Sequence, residues 1–75
     1  MTPYKNLGGN SGVRGYDVSF DSTTVGFQDG SKYKYTYQSA GRSNIEHMKL
    51  LAGRGWGLNS FISTSVRKAY AARWR

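Results

Sequence analysis

Cations and aromatic rings supply most of the chemistry that this sequence could perform. Its 75 residues contain 11 lysines and arginines against four carboxylates, together with six tyrosines, three phenylalanines and two tryptophans. Proteins that hold single-stranded nucleic acid use this mixture, with cations along the phosphates and aromatic faces under the bases. Aromatic side chains also fill the core of a small domain, so composition alone permits both interpretations.

The positive charge is concentrated in the C-terminal half. Residues 1–41 hold four cations and three aspartates, for a net charge of +1, whereas residues 42–75 hold seven cations and Glu46, for a net charge of +6. A polyanion would be attracted to such a surface, less strongly as salt rises, although the same charge could simply keep a small protein dispersed. The predicted contact residues are Arg42, Arg54, Trp56, Arg67, Lys68, Arg73 and Arg75, with Lys32 and Lys34 as further candidates.

Residues suited to catalysis are scarce. Histidine occurs once, at His47, and cysteine does not occur. Glu46 and His47 are adjacent, so on a helix their side chains diverge by about 100° and do not make a metal site. Neither GGNSG nor GRGWG is followed by the Lys-Ser or Lys-Thr of a phosphate loop. We therefore expect a protein that is not an enzyme and that binds no metal or cofactor.

The chain has the length of one domain. The absence of cysteine excludes disulfides and is compatible with a reducing compartment. No apolar stretch approaches the roughly 20 residues of a membrane span, and the start MTPYKNLGGNSG does not resemble a signal peptide. We expect a cytoplasmic protein, monomeric by default. The glycine-rich residues 1–12 are predicted to be a flexible leader to a single domain at residues 13–75.

Three stretches alternate apolar and polar residues, as half-buried strands do. Their apolar members are Tyr16, Val18 and Phe20 in the first, Val25 and Phe27 in the second, and Tyr33, Tyr35 and Tyr37 in KYKYTYQ, the third. Asp21-Ser22 supplies one turn, and Asp29-Gly30 suits a two-residue hairpin turn. The pattern predicts a three-stranded antiparallel meander.

Two helices are expected to follow. Ser43 and Glu46 fit a capping box, and Ile45, Met48 and Leu51 or Ala52 continue it as an apolar stripe that ends at the glycines of GRGWG. The second helix is predicted from about Leu58 to the C-terminus. Its apolar face comprises Leu58, Phe61, Ile62, Val66, Ala69 and Tyr70, and its other face carries Thr64, Arg67, Lys68, Ala71 and Arg75. The predicted fold is α+β of order βββαα, a meander with two α-helices packed on one face.

Three features of the sequence each allow two interpretations. The tyrosines of KYKYTYQ either face the helices as core, which their apolar neighbours favour, or form a stacking platform for bases. Trp56 either folds over the edge of the core or stacks on a base, flanked by Arg54 and Arg42. The basic residues after Val66 are either a solvated helix end or a phosphate-binding strip.

Several short motifs resemble the KTSC domain. They are VRGYD at residues 13–17, the V-x-F-x-x-G run from Val25 to Gly30, Tyr33-Lys34-Tyr35, and the late segment ending in VRKAY. The family occurs alone in small bacterial proteins and at the C-terminus of some lysyl-tRNA synthetases. The resemblance implies an α+β fold and RNA as a partner, with no established activity. QSAGRSN departs from it, because members commonly have a Val-Pro step there, and GRGWGLNSF is unusually rich in glycine.

The sequence therefore predicts a small basic module that binds nucleic acid, RNA rather than DNA, through phosphate contacts with little sequence specificity. The alternative is a protein-interaction module, for instance a small accessory or phage-encoded factor that docks on an acidic surface of a larger protein. Trp56 and Trp74 would then be interface anchors. Charge does not separate the two hypotheses, because both partners are acidic.

Overall fold

The computed structural model describes residues 1–9 and 11–75. Within these residues the chain forms an antiparallel sheet of five strands, in the spatial order in which they occur along the chain, with helices between the fourth and fifth strands. The strands are β1 (Thr2–Pro3), β2 (Val13–Ser19), β3 (Ser22–Phe27), β4 (Lys32–Thr36) and β5 (Ala72–Trp74). The helices are α1 (Tyr37–Ala40), α2 (Arg42–Arg54) and α3 (Leu58–Phe61), and α3 continues as a π-helical segment (Ile62–Val66).

The predicted meander is present as β2, β3 and β4, and the α+β class is confirmed. The predicted two-residue turn at Asp29-Gly30 is wrong. The Phe27 amide donates to the Ser31 carbonyl at 2.8 Å, which closes a three-residue loop at residues 28–30. Gly30 adopts a φ of +91° there, a left-handed conformation that glycine adopts at little cost.

The third predicted strand, KYKYTYQ, is shorter in the structure, where it is β4, because Thr36 is the N-cap of α1. Its Oγ1 accepts from the Ser39 amide at 3.0 Å, while Ser39 Oγ accepts from the Thr36 amide at 2.9 Å. This reciprocal capping box satisfies two backbone donors at the start of α1. Tyr37 consequently belongs to α1 and does not continue the strand face of Tyr33 and Tyr35.

The first predicted helix is present as α2, and its apolar stripe is confirmed. Its buried residues are Ile45, Met48, Leu51 and Ala52. The predicted capping box between Ser43 and Glu46 is wrong, because the helix begins at Arg42 with Gly41 as its N-cap. The Glu46 carboxylate accepts instead from the Tyr37 hydroxyl at 2.5 Å and from Lys49 Nζ at 2.7 Å.

The second predicted helix is wrong beyond Val66. Leu58, Ile62 and Val66 are buried as expected, but the backbone changes to π-helical geometry at Ile62. The sequence there, ISTSV, contains β-branched and hydroxyl residues that weaken a helix, and Thr64 Oγ1 turns back to the Ser60 carbonyl at 2.9 Å. The chain then leaves the helix, and Ala72–Trp74 pairs with β4. The predicted order βββαα therefore lacks the strands β1 and β5 and the short helix α1.

The N-terminal segment is in contact with the domain, which differs from the mobile leader expected at residues 1–12. Thr2–Pro3 pairs with β2, and Tyr4 is only 7% exposed, with its hydroxyl accepting from the Leu58 amide at 3.3 Å. Burial of a tyrosine and pairing at a sheet edge offset the entropy of ordering these residues. Asn10, within the expected leader, lies outside the described residues.

The core lies between one face of the sheet and the helices. Val13, Val25 and Tyr35 from the strands meet the buried residues of α2, α3 and the π-helical segment. Tyr35 is 1% exposed, so its side chain belongs to the core, as favoured from the sequence. Val18 and Phe20 were expected on the same face, but they are 48% and 86% exposed. The tight pairing of Ser19 with Ser22 places them at the end of the β2–β3 hairpin, where Phe20 meets the Tyr37 ring and Lys49 only from one side.

Of the helices in residues 1–9 and 11–75, none has the length and apolar character needed to cross a membrane.

Candidate nucleic-acid interface

Tyr33 is the centre of a cluster of aromatic rings on β4. Phe27 and Tyr70 pack edge-on against it, with ring centres at 5.4 and 5.0 Å, and the Tyr35 ring lies nearly parallel at 6.5 Å. Tyr35 is fully buried, and burial, followed by the neighbouring Tyr33 and Tyr70, raises its pKa to about 12. Tyr33 itself is partly exposed. The cluster is therefore core at Tyr35 and surface at Tyr33.

Arg73 lies against this cluster because β5 pairs with β4. The register places Arg73 directly opposite Tyr33, and its guanidinium is 6.0 Å from the Tyr33 ring centre and 5.9 Å from that of Tyr70. An arginine beside aromatic rings is restrained and keeps N–H donors that can face a ligand. The predicted contact residue Arg73 is thus held at a surface, although by a strand and not by the helix that the sequence predicted.

Three further predicted cations follow the π-helical segment. Arg67 and Lys68 form the exposed turn after Val66, and Arg67 lines the same cleft as Tyr33. Arg75 lies 3.8 Å from the Asp29 carboxylate, an exposed ion pair. Hydrogen bonds from Ser31, and then the charge of Arg75, hold the pKa of Asp29 below its usual value.

An open cleft of about 510 Å³ separates the β3–β4 loop from α3 and the π-helical segment. We call it the tyrosine cleft. Phe27, Tyr33 and Tyr35 line its sheet side, and Asn59, Ser63 and Arg67 line its helix side. Gln28 and the carboxylate-bearing Asp29 also line it. Aromatic rings, amides, a cation and a carboxylate therefore surround a space within the volume range of small-ligand sites.

A second cleft of about 430 Å³ lies beside Trp56 and is called the tryptophan cleft. Trp56 is 56% exposed, and the Arg54 guanidinium lies 5.2 Å from its ring. The predicted neighbours Arg54 and Trp56 are therefore together, with the indole accessible to a ligand. Tyr4 and Asn59 also line this cleft.

The remaining predicted residues lie elsewhere, so the nine do not form one strip. Lys32 and Lys34 alternate with Tyr33 along β4 and therefore point to the opposite face of the sheet. Arg42 is at the start of α2, 5.9 Å from the Tyr37 ring. It is twelve helical residues from Arg54, or roughly 18 Å along the axis.

Several cleft residues were absent from the predicted contact set, among them Phe27, Tyr33 and Asn59, and so was Tyr70, which packs against Tyr33. Phe27 and Tyr70 had been assigned to buried faces, which is correct for part of each ring. Asn59 was visible in the sequence as a polar residue beside Leu58. Its position between the two clefts depends on the packing of Tyr4, Ser11 and Gly12 near α3, which no local sequence pattern predicts.

Groups suited to catalysis are not gathered at either cleft. His47 lies in α2 and lines neither cleft. Its ring packs against Phe61, with ring centres 4.6 Å apart. In the part of the chain that the structure describes, His, Asp and Glu residues form no group of three that could hold a metal ion.

Comparison with known proteins gives no match to this chain among protein-family models, curated proteins or solved structures. The resemblance to the KTSC domain stays a prediction.

Proposed function

We propose that this protein is a small cytoplasmic module that binds nucleic acid, RNA rather than DNA, through phosphate contacts with little sequence specificity. The observation that carries the proposal is the position of the Arg73 guanidinium, 6.0 Å from the Tyr33 ring centre and 5.9 Å from that of Tyr70, at an exposed edge of the sheet. A phosphate is recognised by such a restrained, fully charged guanidinium through paired hydrogen bonds.

The proposed surface consists of the two clefts and the cations beside them: Arg54, Arg67, Arg73 and Arg75. Lys68 adds charge next to Arg67, while Lys32, Lys34 and Arg42 would contribute mainly to the long-range field. Four phosphate contacts on a single strand predict that log K falls with log salt with a slope of roughly −3. The proposal involves binding alone, with no catalytic step.

RNA is proposed as the partner on two grounds. The resemblance to the KTSC domain implies RNA, and the hydroxyl of the partly exposed Tyr33 can hydrogen-bond a ribose 2′-hydroxyl. DNA would retain the phosphate contacts and lose this bond.

The exposed indoles also fit a protein partner. Trp56 and Trp74 are 56% and 43% exposed, and tryptophan beside arginine is typical of interface anchors. An acidic protein surface is therefore the second candidate, with the same cations facing carboxylates.

The experiment is a binding titration followed by fluorescence anisotropy. Labelled single-stranded RNA, single-stranded DNA and duplex RNA of equal length are each mixed with the full chain at about 50 and 200 mM salt. We expect the single-stranded RNA to bind more tightly than the other two, with affinity lost at the higher salt. Absence of binding by every nucleic acid at the lower salt would refute the proposal, and capture of one acidic protein partner would then support the second candidate.

A further inference from the structure

The tyrosine cleft and the tryptophan cleft are neighbours. Asn59 lines both of them, and the consecutive residues Ser11 and Gly12 line one each, Ser11 beside Trp56 and Gly12 beside Phe27. The two clefts therefore adjoin at Asn59 and at the backbone of Ser11 and Gly12, next to α3.

Each cleft contains an aromatic ring with an arginine beside it. Arg54 lies 5.2 Å from the exposed Trp56 ring, and Arg73 lies 6.0 Å from the partly exposed Tyr33 ring, although neither arginine is among the residues that line the clefts. Arg67 lines the tyrosine cleft itself. An aromatic face next to a cation suits a nucleotide, because the base stacks on the ring while the phosphate meets the charge. The repetition of this pair across a shared residue indicates two adjacent nucleotides.

We propose that the two clefts bind consecutive bases of one single strand. Trp56 stacks on one base and Tyr33 on the next, and the Asn59 amide between them hydrogen-bonds a base edge. This inference rests on the proposed function. It adds to the phosphate contacts a contribution to binding affinity that depends on the bases. A duplex is excluded from both clefts, because its bases remain paired and stacked inside the helix.

The test compares a variant that fills the tyrosine cleft with a matched control. Ser63 is exposed and lines the cleft, and Ser65 is exposed on the same π-helical segment and is not among the cleft residues. Ser63→Phe should weaken binding of a labelled hexauridylate RNA about tenfold, the loss expected when one stacked base is displaced. Ser65→Phe should change it less than twofold. Circular dichroism of both variants confirms that the fold is retained.

The tryptophan cleft is tested in the same titration. Trp56→Ala should weaken the hexauridylate about tenfold, and Trp56→Phe, which keeps an aromatic face, should recover most of that loss. Neither substitution nor Ser63→Phe should alter the binding of heparin, a polyanion without bases. Hexaadenylate and hexacytidylate in parallel should differ in affinity for the parent chain, and Asn59→Ala should reduce the difference.

The outcomes separate this inference from the proposed function. If RNA binds the parent chain and Ser63→Phe behaves like Ser65→Phe, the two-base site is refuted while nucleic-acid binding stands. If heparin and RNA both fail to bind the parent chain, the proposed function fails and the inference with it. If a polyglutamate peptide displaces RNA and its own binding is weakened by Trp56→Ala, the clefts belong to a protein partner and the two-base site is overturned.

Discussion

Arg73 lies directly opposite Tyr33 in the pairing of β4 with β5, and its guanidinium is 6.0 Å from the centre of the tyrosine ring. The two residues are 40 positions apart in sequence, one from the alternating stretch and one from the basic C-terminal end. Their contact turns two separate sequence features into one surface. It also explains why a tyrosine beside the core remains partly exposed next to a cation.

Removal of the Arg73 charge should weaken RNA binding more than removal of the Arg42 charge. Both substitutions, Arg73→Gln and Arg42→Gln, change the net charge equally, but Arg42 lies near Tyr37 at the start of α2. We expect Arg73→Gln to lower the salt slope of log K by about 0.7, the value for one phosphate contact with a single strand. Titrations at several salt concentrations measure it. Equal slopes for the two variants would show that only the overall field matters.

Substitution of Gly55 should destabilise the fold, whereas substitution of Gly53 should not. Gly55 ends α2 with a φ of +75°, and a Cβ there would collide with the Lys5 side chain. Gly53 lies inside α2, where an added Cβ meets no atom within 4 Å. Gly55→Ala should cost about 2 kcal/mol of unfolding free energy, and Gly53→Ala should add about 0.5 to 1 kcal/mol. Urea unfolding of both variants measures these values, and changes of the same sign would contradict the account.

The titration of Tyr35 should make stability fall at alkaline pH. Its pKa is about 12 in the folded chain, against an ordinary value of 10.0. Below pH 10 both states hold the proton, so its contribution is complete; between about pH 10 and 12 the unfolded state releases the proton first, and stability is lost. Denaturant unfolding across this range should decline less steeply for Tyr35→Phe than for the parent chain. A tyrosinate absorbance titration in which Tyr35 ionises near pH 10 would contradict its burial.

The contact of the N-terminal segment is tested through Tyr4. Tyr4→Ala should cost about 3 kcal/mol of unfolding free energy, because it empties a buried aromatic site and leaves the Leu58 amide without its hydroxyl acceptor. Leu7 is 69% exposed in the same segment, so Leu7→Ala should change stability by less than about 0.5 kcal/mol. Thermal and urea unfolding provide the measurement. Equal stability of the two variants would contradict this contact and favour the flexible leader expected from the sequence.

Local periodicity was sufficient to predict the central strands and the longest helix. The alternation around Tyr16 and Val25 located the central strands, and the spacing of Ile45, Met48 and Leu51 located α2 and its buried face. Both signals need only the repeat of one element. The helix starts were less predictable, because Thr36 and Ser43 both precede plausible helices and the capping box formed at Thr36.

Long-range pairing was not predictable in this way. Residues 72–74 follow a helical stretch and contain good helix formers, yet the open edge of β4 recruits them as a strand. The same distinction between local and long-range contacts applies to the candidate site. Arg54 and Trp56 are neighbours in sequence and were correctly grouped, whereas Arg73 reaches Tyr33 only through the final strand.

The most direct test of nucleic-acid binding is an amide chemical-shift titration of the labelled chain with single-stranded RNA at low and high salt. The account predicts shifts at low salt for residues 54–57 and 67–75 and for Tyr33 and Asn59, smaller at high salt. Residues 17–21 of the β2–β3 hairpin, which line neither cleft, should be unchanged. If no nucleic acid moves the amides of residues 54–57 and 67–75 at low salt, the account is contradicted.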